Sequence, residues 1–161
     1  MSSKADTDLA RLGSELADAV IGAVPAWIRA AVDSRVAQWV QSGGATTSVD
    51  GPELAKMAEA AGEQAAASLS GPLRELLIAD VDEQWTTPLA LVRLLVGFAT
   101  AVLEKAGVPA VQRDEFQVTR FPDDEYGLTP ASLSSLGEEV ANLALVWGAA
   151  KAVAHRQRHD S

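Results

Sequence analysis

The stretch 87-TPLALVRLLVGFATAVLEKAG-107 decides the fold. Leu89, Leu91, Val92, Leu94, Leu95, Val96, Phe98, Val102 and Leu103 point in nearly every direction around a helical axis. Arg93, Gly97, Thr100 and Glu104 fall on one narrow stripe, at spacings of four, three and four. A helix that is apolar all round except for one stripe is a core helix with neighbours on most sides. Its ends are marked. Thr87 is an N-cap type, Pro88 suits the first helical position, and Gly107 followed by Pro109 stops the helix. The apolar run is shorter than the roughly 20 residues that span a bilayer and carries Arg93 inside it. The stretch therefore reads as a core helix over 88–106 and not as a membrane segment.

The same reading extends outward. The 161 residues are 48% hydrophobic but only 5% aromatic. Much of the apolar content is alanine, the strongest helix former, whereas strands draw on β-branched and aromatic runs that are scarce here. Leu9, Leu12, Leu16, Ala19, Val20 and Ala23 recur at helical spacing and predict a helix over 6–23, which Pro25 is expected to close. A second helix, 25–41, carries Ile28, Val32, either Arg35 or Val36, and Trp39 on one face and ends at Gly43 and Gly44. Together the two make an N-terminal helical hairpin over 1–42, followed by a flexible joint at 43–50.

Asp50 with Glu53 resembles a capping box, and Pro52 fits the first turn of a third helix that reaches about Ser70. Gly71 separates it from a short helix over 72–79. Ser135 and Glu138 open the last helix, expected to end near Arg156. Val140, Leu143, Ala144, Trp147, Ala150 and Ala154 form its buried face, Leu145, Val146 and Val153 are expected to widen that face, and 155–161 is expected to fray. The prediction is one all-α domain: an irregular bundle of five or six helices around 88–106, with 51–161 as the main helical core and a long ordered loop over 107–129.

The strings DVDEQWTTPLALVR, AGVPAVQRDEF, FPDDEYGLTP and WGAAKA resemble a family of uncharacterised proteins from high-GC Gram-positive bacteria, over about Ser14 to the end of the chain. That family has no assigned activity, cofactor or catalytic residue. The resemblance implies an intracellular bacterial protein and carries no site residues with it.

The 13 basic and 22 acidic residues give a net charge of −9. This balance argues against a nucleic-acid or anionic-membrane binder, which needs a clustered basic surface to release counterions. Cysteine is absent, which removes disulfides, thiolate nucleophiles and thiolate metal sites. The opening MSSKADTDLARLG has no basic start leading into an apolar run, so a cytoplasmic address is the expectation. No GxSxG, phosphate-cradling glycine loop or dinucleotide fingerprint occurs, and no cofactor is expected. His155 and His159 stand four apart, but Arg156 and Arg158 lie beside them and oppose metal binding. Basic residues at a helix C-terminus answer the helix dipole.

Carboxylates cluster at Asp80, Asp82 and Glu83, at Asp114 and Glu115, and at Asp123, Asp124 and Glu125. Asp82, Glu83, Asp123 and Asp124 are the set from which a divalent-metal site would be built. None of the clusters has the spaced ligands and glycine of a calcium loop.

The long segment 107–129 demands a reason, because structureless connections beyond about 12–15 residues are uncommon in compact domains. Phe116, Val118, Phe121 and Tyr126 are anchors that a solvated linker would lack. Either the segment is a strap whose aromatics plug the bundle, or it is a binding surface, and EFQVTRF could form a short extended hairpin. The candidate surface is Trp85, Arg113, Phe116, Arg120, Phe121 and Tyr126, since aromatic residues and arginine anchor interfaces most often. The expected function is a non-enzymatic module that binds another protein, or itself, through this loop and the Trp85 connection. Two alternatives are a carboxylate-based metal-dependent enzyme and a helical pocket for an apolar small molecule.

Overall fold

The structure is a computed structural model that describes residues 4–44, 51–78, 87–130 and 132–160. Among them every regular element is helical and no strand occurs, so the fold is all-α. The elements are α1 (Lys4–Gln41), α2 (Gly51–Ile78), α3 (Pro88–Arg93), α4 (Val96–Lys105), α5 (Glu115–Arg120), a 3-10 turn (Leu133–Leu136) and α6 (Glu138–Asp160). No helix is long and apolar enough to cross a membrane among the described residues.

Several boundaries differ from the sequence expectation, each for a physical reason. The N-terminal hairpin does not form, because α1 runs unbroken through Pro25. A proline inside a helix removes one backbone hydrogen bond and crowds the preceding turn, at a cost of about 3 kcal/mol. Val20, Val24, Ile28 and Val32 are all fully buried and keep one phase across that point. Each such side chain contributes about 1.5–3 kcal/mol on burial, so the stripe outweighs the proline. The same holds at Pro72 inside α2, where Leu69, Leu73 and Leu77 are 3%, 0% and 2% exposed on either side of it. In contrast, the single rod expected over 88–106 is two helices separated by a turn at Leu94 and Leu95. Finally, the tail expected to fray continues α6 as far as Asp160.

Of the expected caps, that of Thr87 forms: its hydroxyl accepts from the Ala90 amide at 3.2 Å. Ser135 does not open α6 but lies inside the 3-10 turn, because the chain turns once more through Gly137 before Glu138, and Asp50 lies outside the described residues. Gly43, at φ 95°, ends α1, while the Gly44 amide reaches back to the Trp39 carbonyl at 2.9 Å. That pattern satisfies carbonyls that a helix end would otherwise leave bare.

Two compact units divide the chain. One comprises Met1–Ala23, Ala67–Val92 and Ala131–Ser161; the other comprises Val24–Ala66 and Arg93–Pro130. In the first, Leu12, Leu16 and Val20 of α1, Leu73 and Leu77 of α2, and Val140 and Trp147 of α6 are buried. Gly13 lies against the Leu77 backbone, and Arg74 pairs with Asp18 at 2.6 Å, so α1 and α2 run antiparallel there.

In the second unit the buried residues are Val24, Ile28 and Val32 of α1, Ala58, Ala61 and Ala65 of α2, and Val96, Ala99, Val102 and Leu103 of α4. Alanines let backbones approach, and Gly62 makes the closest approach. A Cβ there would sit 2.8 Å from the Pro25 Cα and 3.2 Å from its carbonyl oxygen. Gly62→Ala should therefore lower stability by about 1–3 kcal/mol, because backbone must shift to admit the methyl group. Gly22→Ala, at a helical position with nothing within 4 Å, should raise it by about 0.5–1 kcal/mol. Urea denaturation of the two variants checks both signs.

A candidate partner-binding surface

The segment from Gly107 to Pro130 lies wholly within the second unit and is held by the burial of Val108, Tyr126 and Leu128 and by hydrogen bonds to its own backbone. Gly107, at φ 79°, terminates α4. The Tyr126 hydroxyl donates to the Val108 carbonyl at 2.6 Å, and the Val111 amide donates to the Glu125 carbonyl at 3.1 Å. Arg35 of α1 clamps the far side, donating from Nε to the Tyr126 carbonyl at 2.7 Å and from Nη2 to the Gly127 carbonyl at 3.0 Å.

Asp124 is the hub of the segment. Its Oδ1 accepts from the Leu128 amide at 2.8 Å, while Oδ2 accepts from the Thr129 amide at 2.8 Å and the Thr129 hydroxyl at 2.6 Å. Such a carboxylate substitutes for missing backbone partners in a turn. The strap reading of this segment thus has a concrete basis.

EFQVTRF is not a hairpin but contains α5. The Asp114 carboxylate accepts from the Gln117 amide at 2.8 Å while the Gln117 side chain accepts from the Asp114 amide, a reciprocal cap that favours helix over strand. All six residues of α5 are exposed, with Phe116 66% and Val118 46% accessible.

Around Phe121 three arginines converge. The Arg93 guanidinium lies 5.3 Å from the ring centroid and the Arg120 guanidinium 5.6 Å from it, while Arg113 donates to the Phe121 carbonyl at 2.7 Å. Arg120 also lies 5.8 Å from the Phe116 ring. Rings and cations attract through the ring quadrupole, so the stack holds both partners in place. No carboxylate pairs with Arg93, Arg113 or Arg120 among the described residues, whereas Arg11 and Arg74 are ion-paired. Each guanidinium has five donors and spends one or none of them on the described residues.

The expected site residues therefore part company. Arg113, Phe116, Arg120 and Phe121 share this surface, and Arg93, which the sequence placed on a polar helix stripe, joins them. Tyr126 does not, since it is 2% exposed and serves the strap. Trp85, Asp82 and Glu83 lie outside the described residues. Asp124 is 7% exposed with both oxygens engaged, so it has no free oxygen to give a metal. Among the described residues no three His, Asp or Glu side chains converge as a metal site would need. Arg35 is the residue that the sequence reading missed, because one arginine on an amphipathic helix looks like any other.

A second feature of the same unit is a groove of about 380 Å³ between α2 and α4. Met57, Ala60 and Ala61 line one side, Leu94, Phe98 and Ala101 the other, and Gln64 and Lys105 supply its polar atoms. Leu94, expected inside a core helix, is 74% exposed here. Compared with family models, curated proteins and solved structures, the chain matches none of them.

The strap has a measurable signature. Burial, and then the charges of Glu104 and Glu125, raise the Tyr126 phenol above its ordinary value of 10.0. The folded state thus holds this proton more tightly than the unfolded chain does. The resulting stability is complete below the unfolded phenol's pKa and is lost as pH rises through the folded one. In urea titrations, Tyr126→Phe should cost about 1 kcal/mol at neutral pH and flatten the loss of stability above pH ~10. Asp124→Ala, which strands buried amides, should cost about 2–4 kcal/mol.

Proposed function

We propose that this chain is a protein-interaction module that docks an acidic segment of a partner protein on the surface built by Arg93, Arg113, Phe116, Arg120 and Phe121. The observation that carries the reading is the convergence of three arginines around Phe121, none paired with a carboxylate among the described residues, in a chain of net charge −9. An acidic chain has carboxylates in excess to neutralise its arginines, and none among the described residues does so for these three. Cations held beside an exposed ring suit a ligand that brings both carboxylates and apolar area, and arginine with aromatic residues dominates binding hot spots. The strap's hydrogen bonds support the reading from beneath, since a preorganised surface loses less entropy on binding.

Display selection of peptides against the immobilised full chain tests this. Enriched sequences should be rich in Asp and Glu around an aromatic residue, and their affinity should fall as salt rises. Phe116→Ala with Arg120→Ala should weaken binding roughly 30-fold or more while shifting stability by less than about 0.5 kcal/mol each, because both sites are exposed. Equal binding to the wild type and the double variant would remove the proposal.

The groove between α2 and α4 favours a second reading, a pocket for an apolar small molecule. Its volume of about 380 Å³ lies within the range of about 300–1,000 Å³ typical of ligand sites. An environment-sensitive naphthalene sulfonate dye should brighten on binding there and stop doing so in Ala101→Phe, where a ring fills the groove. Unchanged brightening would exclude the groove.

A further inference from the structure

The outer face of α6 is largely apolar, carries no charge from Asn142 to Val153, and is left exposed by the described residues. Val140, Trp147 and Ala154, two turns apart in succession, are 2%, 7% and 1% exposed and define the inner side. Leu145, Val146 and Val153, expected on that inner side, are instead 74%, 50% and 37% exposed. With the exposed Asn142, Ala149 and Ala152 they form a second stripe. Asn142, Val146, Ala149, Val153 and Arg156 repeat at spacings of four, three, four and three, the seam spacing of paired helices. The only charged residue between Asn142 and Val153 is Lys151, and its ammonium lies 5.2 Å from the Trp147 ring, away from the stripe. Isolated exposed apolar residues are ordinary. A contiguous stripe without a charge, about 17 Å long from Asn142 to Val153, is not, because it marks a contact surface.

The ends of the stripe say what fits it. Glu138 and Glu139 occupy the first turn of α6, Arg156 lies at the other end, and no ion pair within the chain engages any of them among the described residues. A parallel copy of α6 would bring glutamates against glutamates and arginine against arginine. An antiparallel copy centred on Ala149 sets Arg156 opposite Asn142, about one turn from Glu138 and Glu139 rather than against another arginine, and opposes the two helix dipoles. It is also self-complementary about Ala149: position 142 faces 156, 145 faces 153, and 146 faces 152. The large side chains Leu145 and Val153 then meet each other, while Val146 meets the small Ala152. The same patch on each copy closes a two-fold pair and leaves no open end. We infer that the outer face of α6 is a self-association surface, occupied by a second copy of this chain with its α6 antiparallel.

Sedimentation equilibrium of the full chain should give about twice its 16.8 kDa mass. Val146→Glu, which sets like charges near the two-fold axis, should weaken the dimer roughly tenfold or more while the dilute, monomeric chain keeps its helical circular-dichroism spectrum and its thermal midpoint. Leu145→Glu should do the same from a separate position. The chain has no cysteine, so orientation is read by introducing single ones. A mixture of Asn142→Cys and Arg156→Cys chains should form a disulfide-linked dimer under mild oxidation, and neither variant should do so alone. Four results would each overturn the inference. These are a monomer at every concentration, a dimer indifferent to both glutamate variants, self-linking of Asn142→Cys, and a dimer abolished by Phe116→Ala. The last would move the self-contact to the α5 surface.

Discussion

Everything in this structure depends on α1 remaining one helix at Pro25. The proline deletes the hydrogen bond that the Ile21 carbonyl would accept, and in isolation that is where a helix should end. Two things prevent it. The buried stripe continues in phase on both sides, from Val20 and Val24 to Ile28 and Val32. Gly62 of α2 seats directly against the Pro25 Cα and carbonyl oxygen, where no other residue fits without movement. Each compact unit takes part of α1, up to Ala23 in one and from Val24 in the other, so the helix crosses from one unit's core into the other's at the proline.

The second unit divides its labour between two kinds of interaction. Small side chains on α2 bring helices close, but they bury little area each, and where Ala60, Ala61, Gly97 and Ala101 meet they leave a groove unfilled. The segment after α4 buries Val108, Tyr126 and Leu128 and is also fixed by directional bonds from Arg35, Asp124 and Tyr126. Hydrogen bonds that satisfy a loop's own backbone order it without consuming its exposed side chains. Neither kind of anchor uses Phe116, which α5 holds in solvent.

Much of the fold was legible in the sequence because it rests on local chemistry. The Thr87 cap, the glycine stops at Gly43 and Gly107, and the helical periodicity of α1, α2 and α6 are set by neighbouring residues. The misreadings share one cause: they turn on what packs against a residue from far away in the chain. A proline signals a helix end unless distant burial overrides it, as at Pro25 and Pro72. Apolar residues over 88–106 do not show that a turn at Leu94 splits the rod. Among the candidate site residues, arginine and phenylalanine could be picked by type, but nothing local distinguished exposed Phe116 from buried Tyr126. Asp124 carried a signal in hindsight. An aspartate before Tyr-Gly in a segment needing turns is more often a cap than a ligand.

The outer face of α6 shows the same limit in sharper form. Its apolar residues satisfy two helical stripes, one through Val140, Trp147 and Ala154 and another through Val146, Ala149 and Val153, and periodicity cannot rank them. Tryptophan decides: the inner stripe holds the largest side chain, and Lys151 covers its ring. The outer stripe is left with side chains too small to demand burial within one chain, but too numerous to be incidental. Net charge sharpens its meaning. A chain at −9 repels its own copies, yet that repulsion is screened beyond about 8 Å at physiological salt and finds no charge on this stripe between residues 142 and 153. In the proposed pairing, added salt screens both the net repulsion between copies and the attraction of Arg156 for Glu138 and Glu139, whereas at Arg93, Arg113 and Arg120 it only weakens the proposed acidic ligand, so the two proposed surfaces differ in how steeply they answer ionic strength.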